Sequence, residues 1–129
     1  MTASDRARAL TQIAALAADS KQGEDLVALD VSGPLPLTDV FLIVTGRNER
    51  NVQAIASEVE DRMIEANAKP LRREGRAEGR WILLDFGDIV VHVFHKEERL
   101  FYSLERLWKD CPVVPLELVQ QQPEAARTD

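Results

Sequence analysis

Apolar positions recur at two different periods along the chain, and each change of period marks a new element. Over residues 4–20, Leu10, Ile13, Ala14 and Ala17 fall at helical spacing in an alanine-rich setting. This predicts a helix capped by Ser4 or Asp5. Residues 25–31 read as a strand. The Ser32-Gly33-Pro34-Leu35-Pro36 stretch reads as a loop, because proline cannot donate a ladder bond in a central strand. Residues 40–45 are continuously apolar through Val44, as an interior strand buried on both faces would be. Gly46 ends that strand, and Asn48 can cap the next helix. In it Val52, Ile55, Ala56, Val59 and Met63 make one apolar face, while Glu58 and Arg62 pair on the outside. The helix ends before Pro70. Residues 71–80 carry four arginines, two glutamates and two glycines, and predict a short strand leading into a charged loop.

From Trp81 the period drops to two. Residues 81–86 and 89–94 alternate cleanly once folded about Gly87-Asp88, with glycine where the turn needs positive φ. That turn sets Phe86 opposite Ile89, Leu84 opposite Val91 and Ile82 opposite Val93, a wholly apolar face. The other face is mixed: Trp81, Leu83, Asp85, Val90, His92 and Phe94. It suits a recognition surface, or the underside of another helix. Residues 97–109 then predict a last helix, with Leu100, Phe101, Leu104, Leu107 and Trp108 as its buried stripe. Pro112 and Pro115 stop it. The end of the chain has no periodicity and reads as a flexible tail. Helix-separated strands with a terminal hairpin give an α/β (α+β) fold: a mixed sheet of about five strands with helices packed on it.

Composition narrows the function. The length of 129 residues fits one domain, and no apolar run approaches a membrane span. The opening residues have no apolar core of a secretory signal, and the single cysteine, Cys111, fits a reducing, cytoplasmic setting. A net charge of −6 gains nothing from a phosphate backbone, so direct DNA or RNA binding is disfavoured and a basic protein partner is suited. The only histidines, His92 and His95, point to opposite faces of one strand, which argues against a zinc site. Asp85 and Asp88 flank the turn at a spacing of three. A magnesium-dependent nucleotidyl transferase would want two carboxylates on one face, so Asp88 reads as a turn former. A hydrogen-bonded pair of His92 with Asp85 is the simpler expectation for those two. No metal, cofactor or catalytic residue is assigned.

The hairpin and its helix also carry a family signature. Trp81-x-x-x-Asp85-x-Gly87-Asp88-x-Val90-Val91-His92-Val93-Phe94, followed by Arg99-x-x-Tyr102-x-Leu104-Glu105-x-Leu107-Trp108, closely resembles the ribosomal silencing factor family, also called Iojap-like. Leu29-Asp30-Val31, Thr38-Asp39, Thr45-Gly46, Arg50, residues 52–56 and Glu74-Gly75 fit the same pattern. The resemblance implies a domain over residues 4–111 with a tail at 112–129. It implies a fold related to the nucleotidyltransferases without their catalytic set, and a non-enzymatic role. Members bind the large ribosomal subunit through large-subunit protein fourteen, block joining of the small subunit when nutrients are scarce, and are often homodimers when free. Large-subunit assembly is a further connection. Two positions depart from the pattern: Asn48 stands where serine is usual, and Asn51 where histidine is common.

The expected contact surface combines Trp81, Asp85, His92 and Phe94 of the mixed hairpin face with Arg99, Tyr102 and Glu105 of the adjoining helix. Aromatic anchors beside satisfied polar groups are the usual makeup of an interface centre. Two competing expectations stand beside it. In one, Trp81 and Phe94 pair across the strands and pack under the N-terminal helix. In the other, Asp85 and Asp88 hold magnesium in a nucleotidyltransferase-like enzyme.

Overall fold

The hairpin forms in the expected register. In the computed structural model, which describes residues 2–102, 106 and 108–118, β4 (Trp81–Asp85) pairs antiparallel with β5 (Ile89–His95). Ile82 lies opposite Val93, Leu84 opposite Val91, and the Phe86 N–H donates to the Ile89 carbonyl at 2.9 Å. Gly87 takes φ +89°, the conformation that made glycine the expected residue at this turn.

The other elements follow the predicted order: α1 (Asp5–Ser20), β1 (Glu24–Asp30), β2 (Val40–Gly46), α2 (Glu49–Glu65), β3 (Arg72–Glu74) and, after the hairpin, α3 (Lys96–Tyr102). The strands form one five-stranded sheet in the order β1-β2-β5-β4-β3. Only the central pair, β2 with β5, runs parallel, with α2 inside the crossover. The continuous apolar run of β2 therefore sits inside the sheet, between β1 and β5, as a strand buried on both faces must.

Side-chain oxygens cap both long helices. Ser4 Oγ accepts from the Ala7 N–H at 3.0 Å, and Asn48 Oδ1 accepts from the Asn51 N–H at 2.7 Å. Asn48 thus does the work of the serine usual there. Asn51 is engaged too. Its amide oxygen accepts from the Arg47 N–H, and its amide nitrogen donates to the Lys21 carbonyl, joining the start of α2 to the end of α1.

Both long helices lie on one face of the sheet. Leu10, Ala14 and Ala18 of α1 and Val52, Ile55, Val59 and Met63 of α2 share a core with Leu42, Val44, Ile82, Leu84, Val91 and Val93. This is the wholly apolar face of the hairpin. The expectation that Trp81 and Phe94 pack under the N-terminal helix is corrected: α1 covers the opposite side, because only that side offers an uninterrupted apolar surface to its small alanine stripe.

The predicted last helix is shorter at its end than expected. Residues 108–110 form a turn, closed by the Cys111 N–H donating to the Trp108 carbonyl at 2.9 Å. Trp108 leaves the helical path to meet Phe41 edge-on, at a centroid distance of 5.4 Å. Residues 103–105 and 107 of the expected helix lie outside the described residues.

The chain then turns around the free edge of β1. The Asp30 N–H donates to the Pro112 carbonyl, Val113 bridges Leu29, and the Val114 N–H donates to the Ala28 carbonyl. Val114 and Leu118 are buried against the α1 core. The Gln12 side chain donates to the Glu117 carbonyl at 2.6 Å and accepts from its N–H at 3.1 Å. This segment covers an edge that would otherwise expose unpaired backbone groups.

The N-terminus is tied down from the same edge. Asp30 accepts from the Ala3 N–H and from both the N–H and hydroxyl of Ser32, and Asp39 accepts from the Ser4 N–H. Desolvation pushes the Asp30 carboxyl up. The bonds from Ser32 and Ala3 outweigh it, so the group sits below its ordinary range.

Candidate docking surface

Among the described residues, the second face of the sheet has no long helix on it. It is built from alternate residues of each strand, which the registers place side by side: Leu29 of β1, Phe41 and Ile43 of β2, Val90, His92 and Phe94 of β5, and Trp81, Leu83 and Asp85 of β4. Arg72 and Glu74 of β3 continue this face outward, opposite Asp85 and Leu83.

Toward β1 the face is closed. Leu29, Val31, Ile43 and Phe94 are buried in a second core, with Val27, Leu35, Trp108 and Cys111 packed against them. Toward β4 it opens. Trp81, Leu83 and Asp85 are all only half-buried, as is Phe41 on β2 at the border of the closed side, and Arg72 and Glu74 are exposed.

Aromatic rings organise the boundary. Trp81 stacks on its cross-strand partner Phe94 at 4.9 Å, and Phe41 meets His92 edge-on at 4.9 Å and Trp108 at 5.4 Å. Cross-strand aromatic pairs of this kind hold each other's rotamers. The Trp81 indole N–H donates to His92 Nδ1 at 3.2 Å. That bond fixes His92 as the tautomer protonated at Nε2. Burial lowers the His92 pKa to about 4, so the ring is neutral at neutral pH.

The expected pairing of His92 with Asp85 is not formed. Leu83 stands opposite His92, and Asp85 stands opposite Val90, one step further along the ladder. Asp85 turns instead to the hairpin, where Oδ1 accepts from the Gly87 N–H at 2.8 Å, while Oδ2 lies 4.0 Å from Arg72. Asp88 reaches the other way, to Arg6 of α1 at 3.5 Å. The two carboxylates do not converge, and among the described residues no group of three His, Cys, Asp or Glu side chains is placed to hold a metal ion.

Of the residues expected at the contact surface, Trp81, Asp85, His92 and Phe94 share this face. Trp81 and Asp85 are half-buried, whereas His92 and Phe94 form its floor at 5% and 0% exposure. Arg99 is also buried. It donates from Nη1 to Thr45 Oγ1 at 2.6 Å and from Nη2 to the Asp25 carbonyl at 2.9 Å, bracing α3 against the ends of β1 and β2. Tyr102 closes α3, its side chain outside the described residues, as is all of Glu105.

Phe41, Trp108 and Arg80 were not among the contact residues expected from the sequence. Phe41 looks like one more apolar residue of a buried run until the parallel pairing of β2 with β5 sets it beside His92. Arg80 gathers Glu49, Glu97 and Glu98 at 2.8–2.9 Å, which joins the starts of α2, β4 and α3. Its hydrogen bonds to Glu97, Glu98 and Glu49 raise its pKa further; the bond from Arg80 lowers that of Glu97, and Glu49 is lowered first by its own backbone N–H and then by Arg80. Glutamates at two helix starts, Glu49 and Glu97-Glu98, were the available signal for a cation between them.

An open mixed sheet with both long helices on one face and a half-open aromatic face on the other defines an α+β domain. Comparison with known proteins identifies which kind. Residues 4–129 match the family described as "Ribosomal silencing factor during starvation". The Bacillus subtilis ribosomal silencing factor RsfS is 45% identical over 115 residues, spanning 89% of this chain and 98% of that protein. Chloroplastic protein Iojap of Zea mays is 33% identical over 104 residues, covering 81% of this chain and 44% of its own length. A crystal structure from Bacillus halodurans superimposes with a TM-score of 0.75 at 46% identity, over 84% of this chain and 99% of that one. The chain belongs to the ribosomal silencing factor family.

Proposed function

We propose that the half-open aromatic face docks a basic protein of the large ribosomal subunit, large-subunit protein fourteen. The bound domain then stands where the small subunit must join, and translation falls when nutrients are scarce. The role is steric and non-catalytic. Trp81 and Asp85 make the contact, His92 and Phe94 form the floor beneath it, and Arg99, Tyr102 and Glu105 bound it on the α3 side. In the free protein, a second copy covers the same face.

The observation that carries this reading is the state of Trp81. It is only half-buried, yet its ring is stacked on Phe94 and its N–H is bonded to His92. An aromatic side chain held rigid before binding loses little entropy on docking, which is what a hot-spot anchor requires. Asp85 adds a carboxylate whose Oδ2 is partnered only by Arg72 at 4.0 Å among the described residues, and the net charge of −6 favours a cationic partner.

Sedimentation with purified large subunits tests the proposal. Trp81→Ala should weaken binding by about 2 kcal/mol or more, roughly thirtyfold. Asp85→Asn keeps the oxygen that accepts from Gly87 and removes only the charge. It should weaken binding most at low salt, where charge pairing contributes most. If both folded variants co-sediment as wild type does across salt concentrations, this face is not the docking surface.

A further inference from the structure

His92 carries a hydrogen-bond donor with nowhere to go. Its Nδ1 lone pair is taken by the Trp81 indole, so Nε2 bears the ring's proton. That atom is buried, and it has no hydrogen-bond partner among the described residues. Buried donors are almost always satisfied, because an unmet one loses its hydration without replacement. The nearest described ring, Phe41, meets His92 edge-on with 72° between the planes, and a π-face is at most a weak acceptor. On this face His92 lies between Phe41 of β2 and Trp81 of β4, both only half-buried, so the rings that flank the orphan donor each keep a solvent side.

We infer that His92 Nε2 is a specificity point of the docking face, held to receive one neutral oxygen, a carbonyl or hydroxyl, from the ribosomal protein. This rests on the docking reading above. The chemistry selects that class of group. A cationic side chain has no lone pair to offer the proton. A carboxylate would accept it, but it would also approach Asp85 on a domain of net charge −6. A peptide carbonyl or a hydroxyl fits both conditions. Phe41 and Trp81 would then close around the bond and exclude water, where a hydrogen bond is strongest. Discrimination follows from the same asymmetry: a partner with an apolar group at that point leaves the donor unpaired in a desolvated interface.

The test uses the full chain labelled with ring-¹⁵N histidine, titrated with unlabelled large-subunit protein fourteen. The His92 signal is assigned by its loss in His92→Phe. In the free protein it should show the pattern of a neutral ring protonated at Nε2. On binding, the Nε2 proton should move downfield, as a proton entering a hydrogen bond does, while the His95 ring signal stays put. If wild type binds, shown by backbone shifts at Trp81 and Leu83, but the His92 proton does not move, this inference is overturned and the docking surface stands. A site already satisfied by water gives that same unmoved signal. If wild type does not bind at all, the docking reading itself fails. If the proton moves with protein concentration alone and does not move again when the ribosomal protein is added, the acceptor comes from a second copy and this inference is overturned.

Discussion

Replacing Gly75 by alanine should unfold more of the molecule's stability than any surface change. Gly75 sits between β3 and β4 at φ +84°, which costs an L-residue about 1–2 kcal/mol by itself. A Cβ there would also lie 2.0 Å from the Trp81 carbonyl oxygen and 3.0 Å from its carbonyl carbon. Both contacts are backbone, so no rotamer change relieves them. Relief requires shifting the start of β4, where Trp81 pairs with Phe94 and hydrogen-bonds to His92. The expected loss is about 3–5 kcal/mol, the range reserved for steric conflict at a special backbone position. In a domain of this length it corresponds to a fall of roughly 10–20 °C in the thermal midpoint. Gly33→Ala is the matched control. A Cβ there meets nothing within 4 Å, and the change should stay within about 0.5 kcal/mol. A Gly75→Ala protein that melts with the Gly33→Ala variant would show that the β3–β4 turn can yield without displacing Trp81.

The same position shows what local sequence can and cannot carry. The hairpin was legible because two constraints agree: a period of two on both strands and a glycine at the one turn position with positive φ. The helix starts were legible because Ser4 and Asn48 have the oxygen a cap needs and stand just ahead of periodic apolar residues. None of this says which strands become neighbours. The parallel pairing of β2 with β5 joins segments separated by the whole of α2, β3 and β4, and it alone brings Phe41 to His92. Likewise the turn at 108–110 exists because Trp108 finds a partner on β2, a tertiary contact that overrides helical spacing. The placement of α1 was open for the same reason. Its stripe of alanines says that it packs closely, but both sheet faces have apolar residues to offer. The mixed face of the hairpin was readable residue by residue. Its division into an anchored, half-open part and a buried floor was not, because that depends on Leu29, Ile43 and Trp108 closing one side. Arg99 illustrates the limit. An arginine on a terminal helix reads as solvent-facing, whereas here the residue is only 9% exposed and its guanidinium donates to Thr45 and Asp25.

Mild acid should destabilise the protein well before its carboxylates titrate, and His92 is the reason. In the unfolded chain its imidazole has an ordinary pKa of 6.5, and in the folded protein burial lowers that to about 4. Above 6.5 both states are neutral and the group contributes no pH dependence. As pH falls below 6.5 the unfolded chain takes up a proton that the folded protein refuses, so stability drops. The loss is complete once pH passes below about 4, where the folded ring protonates too. Over that window the difference in proton affinity is worth about 3 kcal/mol, a large part of a typical domain's margin. The carboxylates act in a separate range. Asp30, Glu49, Glu60 and Glu97 all have folded-state pKa values below their ordinary ones, so their contributions are present above about 4.5 and fade only below it. Urea unfolding measured from pH 7.5 to 3.5 should therefore show two phases, a decline from about 6.5 and a steeper one from about 4.5. His92→Phe keeps a buried ring of similar size and has no proton to take up. It should lower stability at pH 7.5, since the Trp81 indole loses this acceptor, and it should flatten the first phase while leaving the second. A variant whose decline between 6.5 and 4.5 matches wild type would mean that the ring accepts its proton in place. The floor of the docking face would then be a charged one at mildly acidic pH, with consequences for any partner that brings a cation to Asp85.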